Sequence, residues 1–137
     1  MPAFIWSEIY MTGVPDVDKD HQKIFVLINE LYDGYEAGQT IVELDSHIDE
    51  LLAYVAYHFE REEGLLASIG YRDLENHAHA HQALSEQMKA YASLYRSSRE
   101  AFDMDDFISF LGRWLQTHIL VDDMAYLESV QQLVVRV

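Results

Sequence analysis

The sequence predicts an all-α fold, an up-down-up-down four-helix bundle with an N-terminal arm and a short C-terminal helix, and three observations predict it. Apolar residues recur in alternating steps of three and four along four stretches of the chain. Short polar or glycine-containing links separate these stretches, and no segment shows the period-two alternation of a strand. Seams built on threes and fours imply shallow, coiled-coil-like helix crossings.

Residues 1–16, with two prolines and Gly13, read as an irregular arm whose aromatic residues pack across a core. Asp16 or Asp18 is a suitable N-cap for a first helix over about 17–37, with its seam at Val17, His21, Ile24, Ile28, Leu31 and Tyr35 and its end near Gly38. Thr40-x-x-Glu43 is a capping box for a second helix over about 41–68. Its seam runs Ile41, Leu44, Ile48, Leu51, Val55, His58 and Glu62, and Gly70 lies beyond its end. The third helix, about 73–96, has its seam at Leu74, His77, His81, Leu84, Met88, Tyr91 and Tyr95, and Ser97–Glu100 is a link. Asp103 caps the fourth helix, about 104–121, with Phe102 and Phe107 as a hydrophobic staple. Its seam is Phe107, Leu111, Trp114, His118 and Val121. A short amphipathic helix, roughly 124–134, falls within the C-terminal segment 122–137, and residues 1–137 read as a single domain.

Composition narrows the function. The 137 residues contain no cysteine, which removes disulfides, thiolate metal sites and thiol catalysis, so any metal must be held by nitrogen and oxygen. Nine basic residues against 24 acidic ones give a net charge of −15, which argues against nucleic acid or an anionic membrane surface as partner. The N-terminus has no signal-peptide pattern and no apolar run approaches membrane-spanning length, so the expected compartment is the cytoplasm.

Polar residues interrupt every seam. Of seven histidines, five (His21, His58, His77, His81 and His118) occupy seam positions, and each helix supplies at least one. In an antiparallel bundle all five fall at the same end, because they lie early in helices one and three and late in helices two and four. One buried imidazole is ordinarily a hydrogen-bonded core residue, but five would need five separate partners, which the apolar seams do not offer. His77 and His81 are spaced i, i+4, about 40° apart around a helix, so both can reach one ion; His58 and Glu62 share that spacing. A further acidic ligand follows His118, and spacing leaves it open between Asp122 and Asp123. On an unbroken helix Asp123 lies about 140° from His118. Glu63 is expected at the solvent or the bundle edge, and Glu60 and Arg61 on a solvated face. His47 is expected to be structural, and His79 projects off the third seam.

Together, Asp18-Lys19-Asp20-His21-Gln22-Lys23, His58-Phe59-x-x-Glu62-Glu63, Gly70-Tyr71, His77-x-x-x-His81 and Trp114-Leu115-x-x-His118-Ile119-x-x-x-Asp123 resemble the hemerythrin family, in particular the bacterial single-domain hemerythrins, over nearly the whole chain. The resemblance selects Asp123 as the last ligand, with Asp122 where the family usually has an uncharged residue. It implies a non-haem centre of two iron ions with an oxo or hydroxo bridge. His77, His81 and His118 would hold one iron, His21 and His58 the other, with Glu62 and Asp123 bridging both. That ligand count leaves one position open, on the iron of His21 and His58, and implies reversible dioxygen binding there rather than an enzyme. Ile24, Phe59, Trp114, Leu115 and Ile119, each near a ligand in sequence, are expected to wall an apolar oxygen pocket. Tyr126 is expected to hydrogen-bond a ligand from outside. Two other readings compete: an oxidase, peroxidase or nitric-oxide-handling enzyme on the same centre, and a metal-free helical interaction module. A sensing role would require an additional protein partner.

Overall fold

A computed structural model describes residues 4–98, 102–123 and 125–126. Four helices dominate: α1 (Pro15–Glu36), α2 (Ile41–Ser68), α3 (Leu74–Ser97) and α4 (Met104–Thr117). A 3-10 turn at Glu8–Tyr10 precedes them, and α4 continues as a π-helical segment over His118–Asp123. In the bundle α1 packs on α2 and α4, and α3 packs on α2 and α4. Among the described residues there is no strand, and no helix is long and apolar enough to cross a membrane. Apart from residues 125–126, the C-terminal helix expected near 124–134 lies outside the described residues.

The helix ends follow local chemistry. Thr40 Oγ1 accepts from the Glu43 backbone N–H at 3.2 Å, and Asp103 Oδ1 accepts from that of Asp106 at 3.0 Å. Phe102 meets Phe107 with ring centroids 5.9 Å apart, closing the staple across the α4 cap. Gly38 and Gly70 stop α1 and α2 at φ +73° and +66°, conformations that L side chains rarely adopt. At both ends paired reverse bonds satisfy the last carbonyls: Gly38 N to Tyr35 O with Gln39 N to Gly34 O, and Gly70 N to Ala67 O with Tyr71 N to Leu66 O.

The start of α1 differs from expectation. Neither Asp16 nor Asp18 caps it; the helix begins at Pro15 after Val14, because proline's fixed φ suits the first helical position. Asp18 instead ties the arm to the bundle, accepting from Thr12 N at 2.7 Å, Thr12 Oγ1 at 2.8 Å and Gly13 N at 3.1 Å.

The arm crosses α1 and reaches α4. Phe4 and Asn29 exchange two hydrogen bonds, Phe4 N to Asn29 Oδ1 and Asn29 Nδ2 to Phe4 O. Trp6, Tyr10 and Phe25 form an aromatic cluster with centroids 5.2–5.5 Å apart. Gly112 on α4 makes room for the Phe4 ring, which would stand 1.9 Å from any Cβ added there. Inside, the seam residues Ile28, Leu31, Ile48, Leu51, Met88, Phe107 and Leu111 are fully buried. Each contributes about 1.5–3 kcal/mol relative to exposure, enough to hold the bundle rigid around the polar residues at its other end.

Candidate metal centre

His21, His58, Glu62, His77, His81, His118 and Asp123 are all buried, and the structure brings them together at one end of the bundle. They form two overlapping groups of converging ligand atoms. His21, His58, Glu62, His118 and Asp123 make one; Glu62, His77, His81 and His118 make the other. Within each group the atoms lie within 4.8 Å of one another.

Glu62 sits between the histidines. Its Oε1 is 2.5 Å from His77 Nε2, 3.1 Å from His81 Nε2 and 3.6 Å from His118 Nε2. Its Oε2 is 3.5 Å from His58 Nε2 and 3.9 Å from His21 Nε2. Asp123 divides similarly, with Oδ2 2.7 Å from His21 Nε2 and 3.1 Å from His118 Nε2, and Oδ1 3.5 Å from His77 Nε2.

Asp123 reaches this position because the backbone changes pitch. Over His118–Asp123 the chain is π-helical, so residues five apart stack on one face. His118 and Asp123 both turn inward, whereas Leu120 and Val121 face solvent and Asp122 is only half-buried. His118 Nδ1 stands 3.8 Å from Asp122 Oδ2, beyond hydrogen-bond reach.

The described residues do not satisfy the whole cluster. His21 Nε2, His58 Nε2, His81 Nε2, His118 Nε2 and both Asp123 oxygens are buried without a hydrogen-bond partner among the described residues. His21 Nε2 and Asp123 Oδ2 are close but not aligned as a hydrogen bond. Unpaired polar atoms in an interior are expensive. Imidazole nitrogens and carboxylate oxygens aimed at common points are the donor set that nitrogen- and oxygen-binding cations require.

Electrostatics agree. Burial, followed by the charges of neighbouring histidines, pushes the His21 imidazole down to about 2, so it stays neutral with a lone pair free. Burial also lowers His58, against the opposing pull of Asp20 and Glu62. Burial would raise Glu62, but the hydrogen bond from His77 and the close approach of the His81, His118 and His58 rings hold it well below the ordinary carboxylate range. Burial pushes Asp123 well up, more than its contacts with His118 pull it down. Burial would lower His118, but Asp123, Asp122 and Glu62 together raise it well above its ordinary value. The same carboxylates, Asp123 and Glu62, face the space between the rings.

Partners behind the cluster residues fix their orientation. His58 Nδ1 donates to Asp20 Oδ2 at 3.1 Å, and His81 Nδ1 donates to Glu63 Oε2 at 3.0 Å, which leaves each Nε2 facing inward. Burial would raise Asp20, but hydrogen bonds from His58 and Tyr54 and the Arg61 charge lower it overall. Two expectations gain detail. Glu63 is not merely at the bundle edge, because its half-exposed carboxylate holds His81. Arg61 is not a free solvated side chain: it pairs with Asp16 at 3.1 Å and Asp20 at 3.4 Å, and donates to Tyr57 Oη at 2.7 Å. Sequence reasoning assigned no role to Asp20; its signal was an acidic residue flanking a seam beside His21.

Of the expected pocket residues, Phe59 stacks on His81 with centroids 3.9 Å apart, and Trp114 lies nearly parallel to His118 at 5.8 Å. Ile24, Leu115 and Ile119 are buried in the same core. Tyr126 is buried and its hydroxyl points at Glu62 Oε2, 3.4 Å away. His47 lies outside the cluster and contacts Gln39 Oε1 through Nε2 at 2.9 Å. His79 is exposed.

Residues 12–130 match the family model of the hemerythrin HHE cation binding domain. The chain belongs to the hemerythrin family. The bacteriohemerythrin of Pseudomonas aeruginosa is 28% identical to it over 131 residues, covering 96% of this chain and 84% of its own length. The bacteriohemerythrin of Clostridium acetobutylicum is 28% identical over 132 residues, covering 91% of this chain and 99% of its own. A crystal structure of wild-type hemerythrin superposes with a TM-score of 0.80 at 28% identity, covering 90% of this chain and 95% of its own. A crystal structure of a hemerythrin variant reaches 0.83 at 27% identity. A cation-binding hemerythrin domain accounts for the buried cluster and for the antiparallel bundle that carries it.

Proposed function

We propose that the cluster holds two iron ions and that the protein binds dioxygen reversibly there, as a carrier, store or sensor rather than as an enzyme. In this reading His77, His81 and His118 would hold one iron and His21 and His58 the other, with Glu62 and Asp123 shared between them. The observation that carries it is the division of Glu62: one oxygen faces His77 and His81 and the other faces His58 and His21. Membership of a cation-binding family supports it independently.

Held by these residues, a pair of ferrous ions would supply the electrons that reversible dioxygen binding draws on. The chain does the rest. Its imidazoles, which ligate only in the neutral form, would present their Nε2 lone pairs, and the Glu62 and Asp123 carboxylates lie between the two ligand groups. Phe59, Trp114, Ile24, Leu115 and Ile119 supply a buried apolar wall that keeps water and protons from the site. The Tyr126 hydroxyl, near Glu62, steadies the bridging carboxylate.

The test is the visible spectrum of the reduced protein before air, after air and again under vacuum. A colour that appears with air and leaves under vacuum is expected. Irreversible change with turnover of a reductant would point to an oxidase or peroxidase, and absence of colour and iron to a metal-free bundle.

A further inference from the structure

We propose that Asp20 is a positioning residue for the half of the centre that His21 and His58 form, bracing these ligands against each other and lending its charge to the His58 imidazole. The inference rests on the reading of the cluster as a metal site. Asp20 and His21 are consecutive on α1, whereas His58 is on α2. The Asp20 carboxylate is buried, and its Oδ2 accepts from His58 Nδ1 at 3.1 Å. One side chain therefore ties the helix that carries one ligand to the ring of the other.

Asp20 is itself held on two further sides. The Tyr54 hydroxyl donates to Oδ1 at 3.1 Å, and Arg61 Nε lies 3.4 Å from Oδ2. The carboxylate cannot rotate without breaking these contacts, so the His58 ring is fixed with Nε2 facing Glu62. The other histidines are braced differently. His81 leans on the half-exposed Glu63, His118 Nδ1 stands out of reach of Asp122, and His21 Nδ1 has no partner among the described residues. Asp20 is thus the buried brace, where water does little to weaken its charge. A carboxylate that accepts the Nδ1 proton makes the imidazole a more basic ligand. Such a ligand favours ferric over ferrous iron and lowers the reduction potential.

The experiment is an anaerobic titration with ferrous iron against a competing chelator, with the reduction potential measured on the loaded protein, for the parent, Asp20→Ala and Asp20→Asn. Asp20→Ala is expected to lose about 10- to 100-fold in affinity for one of two ferrous ions and to keep the other. Asp20→Asn retains an acceptor oxygen without the charge, so most of the affinity should return while the potential moves positive. A purely structural role would leave the potential of Asp20→Asn unchanged. The inference is overturned if Asp20→Ala holds both ions as tightly as the parent, or if the potential of Asp20→Asn equals the parent's. A parent that takes up no ferrous iron overturns the metal reading itself, and this inference with it. Should Asp20→Ala not fold, judged by helical circular dichroism, the near-isosteric Asp20→Asn decides the question through its potential.

Discussion

Toward the end of the bundle where α1 runs into α2, the seams carry Leu31, Ile48, Met88 and Phe107; toward the opposite end they carry His21, His58, His81 and His118, and all eight are buried. Spacing and depth are the same, but the energetics have opposite sign. The apolar end is stabilised by burial alone. The polar end buries imidazole nitrogens and carboxylate oxygens several of which have no hydrogen-bond partner among the described residues, a cost that a bound cation would offset. One end therefore supplies the stability with which the other stays preorganised for a ligand.

Removing metal should separate the ends most sharply. Chelation is expected to lower Tm by on the order of 10 °C in a calorimetric scan, the scale of about 4 kcal/mol of ligand stabilisation. Helical content should be retained, because the apolar end does not depend on the ion. Unchanged melting on chelation would break the comparison.

Next in size is truncation at the apolar end. Leu51→Ala should cost about 2–5 kcal/mol in denaturant unfolding, yet leave iron per folded chain at the parent level. Glu62→Gln should do the reverse, reducing iron below half the parent's content while costing less in the chelated protein. Equal effects of the two substitutions on iron content would show that the ends are not independent.

Acid should act through the polar end. The folded pKa of His21 is about 2 against an ordinary 6.5, so below pH 6.5 the unfolded chain takes up a proton that the folded chain refuses. Stability from this group is full above pH 6.5 and is lost progressively as pH falls toward 2. The lowered Glu62 carboxylate adds a loss of the same sign below its ordinary 4.5. His118, raised, opposes this in the metal-free protein, but as a cation it cannot ligate. Iron retention and Tm are therefore expected to fall together between pH 6 and 4, checked by metal analysis after gel filtration; retained iron at pH 4 would contradict this.

The smallest effect is at a cap remote from the cluster. Asp103→Ala, which removes the acceptor for Asp106 N, should cost about 1 kcal/mol in denaturant unfolding. It should not alter iron content.

Much of the candidate site is legible in the sequence because a helix converts spacing into direction. Seam positions His21, His58, Glu62, His77, His81 and His118 must face inward wherever Ile48 or Leu111 does, and antiparallel order brings them to one depth. The same logic places the caps at Thr40 and Asp103, whose signals are local. It fails at Asp16 and Asp18, where a proline preset the helix start and the acidic side chain was more useful to the arm.

What the sequence determined by itself is the bundle, its apolar stripes and the set of polar residues that interrupt them, because these depend only on periodicity along each helix. Helix spacing left open what completes and braces the cluster: the resemblance pointed to Asp123, and the tertiary structure decided how that side chain gets there and what stands behind the histidines. Asp123 turns inward through a change from α to π pitch that no three-four spacing encodes. Asp20 and Glu63 reach histidines of the cluster on neighbouring helices, so their roles depend on side-chain reach between elements and not on position along one. Helical periodicity says which way a residue points; only packing says what it meets there.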